Sequence, residues 1–369
     1  MYDSEDAADA DATQTSVDEA WYLATYPQVV RDIDQGYALN SSDHFRRIGR
    51  FRGYLANAKD VRQDNPTAPS SRFGGMWTDF ANAMDMLRGK HDLGLVSDDQ
   101  AERLATWIRD GYVILKNALP SDLLNAAAHD LERAYSGRVD GLIFDCVDLP
   151  PRISTFLPHH PDVPAKALDL HWLSEATRNA IFSPVIVDFI QTVFERRAMA
   201  TQTLGFWRGS QQGSHQDSAY VSYTLNMHFC ASWIAYEDVQ SGAGELLYYP
   251  GSQKLPDYLY PGDLKNIIDA ARLHPEANVS GSIQEHVNQL PRRATSAGYE
   301  EQTFIARAGD ALIWSADLVH GGKPISNTRT RKSMVTHYAP QELAPLYFEQ
   351  SPREIRVHGK ANPYSTSVY

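Results

Sequence analysis

The segment QTFIARAGDALIWSADLVHGG, residues 302–322, has the composition of short strands joined by tight turns. It is rich in aromatic and branched apolar residues, and glycine and aspartate interrupt it, as in antiparallel sheets. Segments of the same kind recur from about residue 200, namely ATQTLGFWRGSQ, FCASWIAYEDV, GELLYYPGSQ and RKSMVTHYAP. Helical patterns dominate the first half of the chain. We therefore predict a mainly β core with flanking helices, closed as a sandwich or jelly roll.

The 369 residues are predicted to form four parts. Residues 1–17 are acidic and poor in bulky apolar groups, so we expect a disordered tail. Residues 18–58 carry apolar side chains near helical spacing and are predicted to form a small helical module. We interpret residues 59–75 as a linker and residues 76–369 as the main domain. A polar insertion of loop and helix at about residues 257–298 interrupts that domain, and the sequence leaves open whether it is a lid.

The composition excludes several classes of protein. The formal net charge of -12 disfavours nucleic acid as a partner, because phosphate contacts need clustered Lys and Arg. Cys146 and Cys230 have no CxxC partner for zinc, and we expect them to be buried apolar side chains. We find no signal peptide and no apolar run long enough for a membrane span. We expect a cytoplasmic protein with a small-molecule substrate, and the oligomeric state stays open.

The segment GSHQDSAYVSY, residues 213–223, contains a candidate pair of metal ligands. On a strand, His215 and Asp217 would point to the same side, with Gln216 turned away. Among the 13 histidines, His320 is the best third ligand, because it ends a strand and two glycines follow it. Two histidines and one carboxylate leave three positions open on Fe(II). An isolated HxD pair also arises by chance in many proteins.

A guanidinium and a hydroxyl follow the third candidate ligand. Arg331 lies 11 residues after His320, and Ser333 lies two further on, so both point to one side of a strand. A guanidinium fork beside a hydroxyl suits two-point binding of a carboxylate. Arg329 is a rival on the same face. A surface arginine paired with an acidic group is the common alternative.

The order of these residues resembles the phytanoyl-CoA dioxygenase family of Fe(II)- and 2-oxoglutarate-dependent oxygenases. The family order is an HxD, a histidine about a hundred residues later and then an RxS. SDDQAERLATWIRDGYVILKNAL resembles the helix-then-strand opening of that domain, and GSHQDSAYV, ASWIAYEDVQSGAGELLYYPGSQKLP and GDALIWSADLVHGGKPISNTRTRKSMVTHY resemble its core. The similarity covers about residues 95–345. It implies a double-stranded β-helix, which is a cupin-like jelly roll.

The resemblance implies an iron site. His215, Asp217 and His320 would ligate Fe(II), with 2-oxoglutarate and dioxygen as co-substrates and ascorbate as a possible activator. In halogenating relatives, glycine or alanine replaces the carboxylate ligand. A full carboxylate at Asp217 therefore favours hydroxylation, or a related C–H oxidation, over halogenation.

The resemblance also implies a site for 2-oxoglutarate. Arg331, at the family's spacing, would hold the distal carboxylate, with Ser333 beside it. Gln216 and Trp233 match positions that lie near the co-substrate in family members. Gly322 departs from the pattern, because relatives can carry a hydroxyl residue there that contacts 2-oxoglutarate.

The substrate is the least determined part of the prediction. The candidate pocket residues are aromatic and polar, which favours a hydrogen-bonding substrate over a long acyl chain, although core packing explains many of the aromatics equally well. These candidates are Trp207, Gln212, Tyr220, Tyr223, Asn226, His228 and Tyr249. Residues 18–58 resemble a short helical module of bacterial glycan-processing and transferase proteins, which favours a sugar or another hydrophilic metabolite.

The predicted activity is hydroxylation or oxidative demethylation of a polar small molecule, with release of succinate and CO2. Two alternatives stay open. One is a cupin-like metal enzyme that does not use 2-oxoglutarate, and the other is a non-catalytic binding member of the fold. A zinc hydrolase is disfavoured, because the sequence contains no HExxH motif.

Overall fold

A computed structural model of the chain describes residues 16–26, 28–49, 54, 56–57, 71–146, 153–155, 165–346 and 356–366. The chain divides into two compact units, Met1–Asn65 and Pro66–Tyr369. The predicted tail lies outside the described residues up to residue 15, and so does most of the predicted linker, residues 59–70.

Within the part of the first unit that the structure describes there are three short helices, α1 (Glu19–Thr25), α2 (Gln28–Asp34) and α3 (Ser41–Arg47). Its core is aromatic, with the Tyr26 and Tyr54 rings stacked at 4.0 Å. His44 is fully buried and lies 3.0 Å from both Asp32 Oδ2 and the Tyr22 hydroxyl. These two hydrogen bonds give the buried His44 imidazole a partner for each of its ring nitrogens.

The second unit carries eight helices within its described residues. They are α4 (Ala83–Asp92), α5 (Asp98–Asp110), α6 (Ser121–Tyr135), α7 (Leu170–Leu173), α8 (Glu175–Ile181), α9 (Pro184–Phe194), α10 (Ile267–Leu273) and α11 (Val279–Ser296). Ser97 caps the start of α5 by accepting from the Gln100 amide. Gly111 ends that helix with a φ of 76°, a left-handed conformation that favours glycine.

The described residues of the second unit also form thirteen strands, which are numbered in chain order. They are β1 (Tyr112–Leu115), β2 (Ile143–Cys146), β3 (Ile153–Ser154), β4 (Ala165–Leu168), β5 (Ala198–Phe206), β6 (Cys230–Ala235), β7 (Leu246–Tyr248), β8 (Gln302–Phe304), β9 (Ala311–Ser315), β10 (His320–Gly322), β11 (Ser333–Pro340), β12 (Arg356–His358) and β13 (Tyr364–Thr366).

The strands form two sheets. The large sheet has the order β1-β9-β6-β11-β5-β4-β2-β3, and β13 joins it at β5. The small sheet has the order β10-β7-β8. Every strand pair is antiparallel except β13 with β5. A mainly antiparallel two-sheet core with helices around it confirms the predicted jelly-roll class.

The large sheet buries a different set of side chains on each face. Ile234, Ile313 and Met334 pack in one core with the helices. Trp233 and Trp314, which alternate with them along the strands, pack in a second core with residues of β7 and β8. The space between the sheets is therefore lined by one face of β5, β6, β9 and β11.

The predicted insertion at residues 257–298 contains α10 and α11. Leu290 of α11 packs against Tyr249 and Val319, which flank the small sheet. Cys146 and Cys230 are buried and free, as expected. In the part of the chain that the structure describes, no helix combines the length and apolar character needed to cross a membrane.

Candidate metal centre

The two candidate histidine ligands lie directly opposite each other. The His215 amide donates to the His320 carbonyl at 2.8 Å, and the His320 amide donates to the His215 carbonyl at 3.0 Å. The prediction that His215 and Asp217 share a strand is wrong, since His215 makes an isolated bridge and Asp217 opens a 3₁₀ turn, Asp217–Ala219. The turn forms because the Asp217 carbonyl accepts from the amides of Tyr220 and Val221.

The three side chains converge. Ligand atoms of His215, Asp217 and His320 all lie within 4.8 Å of one another, and the residues that the structure describes contain this one such cluster. Asp217 Oδ1 is 3.6 Å from Nε2 of each histidine. All three residues are buried. This spacing is short enough for one metal ion to contact all three atoms.

Hydrogen bonds fix which imidazole nitrogen faces the cluster. His215 Nδ1 lies 2.8 Å from the Gly213 carbonyl, and His320 Nδ1 lies 2.9 Å from the Leu318 carbonyl. A carbonyl only accepts, so each Nδ1 carries the proton and each Nε2 presents a lone pair. Both histidines therefore have the tautomer that a metal ligand needs.

The charge states of the cluster also suit a cation. Burial and the neighbouring His320 lower the pKa of His215 to about 3, so its imidazole is neutral near pH 7. Burial alone would raise the pKa of Asp217, but His320, His337 and His215 hold it below its usual range. Two histidines and one carboxylate form the facial set that binds non-haem Fe(II) and leaves positions open.

Arg331, unlike its rival, is buried beside the second core. Its side chain is 2% exposed, whereas Arg329 is exposed. The guanidinium lies 5.4 Å from the Trp233 ring and 5.9 Å from the Phe206 ring, and it donates to the Gly244 carbonyl at 2.6 Å. Burial lowers its pKa to about 10, so it stays charged at pH 7.

Arg331 lacks a carboxylate partner. Among the described residues, no ion pair within 4.0 Å joins its guanidinium to a carboxylate, although the charge of Glu245 acts on it from further away. Its Nε is buried without a hydrogen-bond partner. The Trp233 indole nitrogen is likewise buried without a partner. A buried guanidinium with one unpartnered N–H and a buried indole N–H without an acceptor are costly unless a ligand accepts from them.

The other two predicted co-substrate residues have partners within the chain. Ser333 is fully buried, and its hydroxyl donates to the Arg331 carbonyl at 3.4 Å. Gln216 Nε2 donates to the Asp317 carbonyl at 2.7 Å. The amide of Gln216 therefore binds the loop that precedes His320.

The absence of a side chain at Gly322 also has a structural reason. A Cβ at that position would lie 2.8 Å from Ser210 Oγ and 3.1 Å from the Gln211 amide nitrogen. The Ser210 hydroxyl thus occupies the space that a side chain at Gly322 would need.

The predicted substrate residues do not all lie at the cluster. Tyr220 adjoins it, with its ring edge-on to His215 at 5.9 Å. Trp207 packs against Tyr135 of α6, on the helical side of the sheet, and Lys332 lies over its ring. We therefore correct the expectation for Trp207, because successive residues of a strand point to opposite faces.

The remaining substrate candidates have other contacts. Tyr223 is 1% exposed, and its hydroxyl lies 2.6 Å from Thr201 Oγ1, so it is a core residue. The Tyr249 hydroxyl donates to Glu301. His228 Nδ1 lies 3.0 Å from the Asn226 carbonyl.

Gln212 is also tied into the chain, since its carbonyl accepts from the Gly322 amide at 2.8 Å. Like Asn226, it is half-buried, and its contact with the strand that begins at His320 runs through the backbone. This backbone contact does not determine where the Gln212 side chain points, so its role in substrate binding stays a prediction.

Sequence reasoning missed three residues beside the cluster. Trp314 Nε1 donates to Asp217 Oδ2 at 2.8 Å, and His337 Nε2 lies 3.7 Å from the same oxygen. Lys166 of β4 is paired in register with Phe206, so its side chain lies on the same face of the sheet as Phe206 and Arg331. Its charge contributes to the lowered pKa of His215. Strand alternation marks Trp314 as inward-facing, but no sequence signal identified Lys166.

A buried His-Asp-His cluster within an antiparallel two-sheet core is compatible with a mononuclear metal centre of the jelly-roll class. The model of the family Phytanoyl-CoA dioxygenase (PhyH) matches residues 107–333, which is more than half of the chain. The chain belongs to this family, as its motifs predicted. The family is one of iron- and 2-oxoglutarate-dependent enzymes, so membership supports the predicted cofactors Fe(II), 2-oxoglutarate and dioxygen.

Several solved structures are similar to the chain at low identity. The epimerase SnoN in complex with Fe3+, alpha ketoglutarate and nogalamycin RO is 17% identical, with a TM-score of 0.48, over 67% of this chain and 85% of that chain. EctD from S. alaskensis with 2-oxoglutarate and 5-hydroxyectoine is 13% identical, with a TM-score of 0.45, over 67% and 77%. AviO1 from Streptomyces viridochromogenes Tue57 is 17% identical, with a TM-score of 0.43, over 68% and 99%. No curated protein matches the sequence.

Proposed function

We propose that the protein is an Fe(II)- and 2-oxoglutarate-dependent dioxygenase that oxidises a C–H bond of a polar small molecule. Hydroxylation or oxidative demethylation would release succinate and CO2. The observation that carries the proposal is the convergence of His215, Asp217 and His320 in a chain that also buries Arg331 without a carboxylate partner.

The three ligands would hold the metal through His215 Nε2, His320 Nε2 and Asp217 Oδ1. When bound, Fe(II) supplies the activation of dioxygen that couples decarboxylation of 2-oxoglutarate to oxidation of the substrate. The carbonyls of Gly213 and Leu318 would keep both imidazoles oriented, because each holds an Nδ1 proton. Trp314 would hold the far oxygen of Asp217, so that the near oxygen stays directed at the metal.

Arg331 would bind the distal carboxylate of 2-oxoglutarate. Its one hydrogen bond to Gly244 leaves other guanidinium hydrogens available, and a dicarboxylic acid would satisfy the unpartnered Nε. Lys166 supports the same assignment, since it adds a second cation on this face of the sheet. Binding two carboxylates between a metal ion and two cations offsets the cost of burying these charges.

The proposed substrate is polar because the residues nearest the cluster are polar or aromatic. Tyr220 and His337 both adjoin the ligands. Their hydroxyl and imidazole groups would accept and donate hydrogen bonds at one side of the metal. A sugar or another hydrophilic metabolite fits such a surface better than an acyl chain does.

A second candidate is a metal enzyme of the same fold that does not use 2-oxoglutarate. His337 favours it, because a third imidazole lies 3.7 Å from the Asp217 carboxylate and such enzymes commonly use three histidines. The buried, unpaired Arg331 disfavours it, because that reaction gives the guanidinium no ligand.

The test is anaerobic reconstitution of the full chain with Fe(II) and 2-oxoglutarate, followed by admission of dioxygen and a screen of polar metabolites. We expect succinate formation that depends on iron and rises with one class of metabolite. The mass of that metabolite should increase by one oxygen, or decrease by one CH2 with release of formaldehyde. Metabolite turnover without 2-oxoglutarate would instead support the second candidate.

A further inference from the structure

We propose that Lys265, which lies in the 257–298 segment, positions the metal ligands through Asp317. The inference rests on the proposed metal role of His215, Asp217 and His320, and it makes Lys265 a positioning residue for that centre.

Lys265 and Asp317 form a buried ion pair. Lys265 Nζ lies 2.8 Å from Asp317 Oδ2 and 2.6 Å from Asp257 Oδ1. The Lys265 and Asp317 side chains are each 6% exposed. The other oxygen of Asp317 accepts a hydrogen bond from Ser218 Oγ. We call these four residues the Lys265 network.

The network spans both ligand segments. Asp317 lies three residues before His320, and Ser218 directly follows Asp217. The Asp317 carbonyl also accepts from Gln216 Nε2 at 2.7 Å. Gln216 and Ser218, the neighbours of Asp217 in sequence, are thus both hydrogen-bonded to Asp317, the ion-pair partner of Lys265.

The helices of the same segment pack around the same ligands. Leu264 and Ala270 pack with Ala219, the last residue of the turn that Asp217 opens. Leu290 of α11 packs with Val319, the residue before His320. A change in how this segment packs would therefore reach the metal ligands through Lys265 and through these apolar contacts.

The charges explain why the lysine is needed. Burial alone would lower the pKa of Lys265, but Asp317 and Asp257 raise it, so the ammonium is charged. Without that cation, Asp317 would be a buried carboxylate whose hydrogen bond to Ser218 does not compensate its charge. Burial already raises the pKa of Asp317 above its ordinary value. Without the lysine, Asp317 would therefore take up a proton or turn toward water, and either change alters its hydrogen bond to Ser218. Loss of comparable groups behind metal ligands lowers metal affinity about 10- to 100-fold.

The experiment measures the Kd for Mn(II), a redox-stable substitute for Fe(II), by calorimetry on the full chain, together with the thermal midpoint. Lys265→Met should raise the Kd about 10-fold or more. Ser218→Ala should also raise the Kd. The Kd of the double variant should not exceed the larger of the two single-variant values, because both changes interrupt one path. Arg272→Met, which breaks the exposed pair with Asp269 in the same segment, should leave the Kd unchanged.

Asp317→Asn is the milder variant if Lys265→Met does not fold, because Lys265 then keeps Asp257 as its partner. It should also raise the Kd. A folded Lys265→Met or Asp317→Asn protein with wild-type Mn(II) affinity would overturn the inference, and so would additive effects in the double variant. Failure of the wild-type chain to bind Mn(II) would instead contradict the proposed function.

Discussion

The indole of Trp314 and the carboxylate of Asp217 are joined by a hydrogen bond of 2.8 Å, from Nε1 to Oδ2. The other oxygen, Oδ1, lies 3.6 Å from Nε2 of both His215 and His320. The two oxygens of one side chain therefore have separate partners, one in the sheet and one in the ligand cluster. This division explains how a carboxylate on a short 3₁₀ turn keeps a fixed direction.

Replacing Trp314 tests this relationship. Trp314→Phe should lower the free energy of unfolding by about 1–3 kcal/mol, because Oδ2 loses its donor in a buried position. It should also weaken metal binding about 10-fold. Urea unfolding and metal titration measure the two effects separately.

Trp107→Phe is the matched control, since Trp107 Nε1 donates to Thr78 Oγ1 at 3.1 Å in the core with the helices. It should cost similar stability and leave metal affinity unchanged. Equal metal affinity in both variants would contradict the assigned role of Trp314.

Removing a metal ligand should abolish activity. Asp217→Ala and His320→Ala should each eliminate iron-dependent succinate formation, because two remaining ligands hold a divalent metal weakly. His171→Ala, at a buried histidine that lies 2.9 Å from Thr203 Oγ1, is a control for loss of a core imidazole. Succinate formation at the wild-type rate by His320→Ala would show that the cluster is not the catalytic metal site.

Arg331 should determine the affinity for 2-oxoglutarate. Arg331→Ala should raise the 2-oxoglutarate concentration needed for half-maximal succinate formation by at least ~30-fold, which corresponds to ~2 kcal/mol for a buried charge pair. Arg331→Lys should be intermediate, because an ammonium lacks the planar fork. Arg329→Ala, at an exposed site, should behave like the wild type. If the two alanine variants exchanged these results, the role would move to Arg329.

Asp79 should make stability depend on pH. Burial of its carboxylate raises the pKa from 3.8 to about 7, with Asp317 nearby adding to the effect. Between these two values the folded protein keeps a proton that the unfolded chain has lost, so stability falls as pH rises through this window. Between pH 3.8 and about 7, the free energy of unfolding of the wild type should fall by at most ~4 kcal/mol relative to that of Asp79→Asn. The fall should be smaller than this limit because Asp79 is partly exposed. Parallel unfolding profiles from pH 4 to 7 would contradict this.

Local pattern carried the prediction of the fold. The segments around Trp233, Trp314 and Tyr338 are rich in aromatic and branched apolar residues and end at turn residues, so their strands could be predicted from composition. The family could be predicted because His215, Asp217, His320 and the RxS motif keep a characteristic order, and the match over residues 107–333 confirmed it.

Contacts that depend on strand register and on side-chain direction could not be predicted from the sequence. His337 reaches the cluster because its strand pairs it with Gln202 on β5, and no local signal encodes that pairing. Trp207 points away because it follows Phe206 by one residue, and a shift of one residue exchanges the faces of a strand. Asp217 lies outside any strand because its carbonyl accepts from the Tyr220 amide and so forms a 3₁₀ turn.

The most direct test of the central claim is calorimetric titration of 2-oxoglutarate into the wild-type protein without oxygen, with and without Fe(II). We predict binding of one 2-oxoglutarate per chain that requires Fe(II), and that weakens sharply in His320→Ala and in Arg331→Ala. Binding of Fe(II) without any binding of 2-oxoglutarate would contradict the account. Equal affinity for 2-oxoglutarate with and without the metal would contradict it as well.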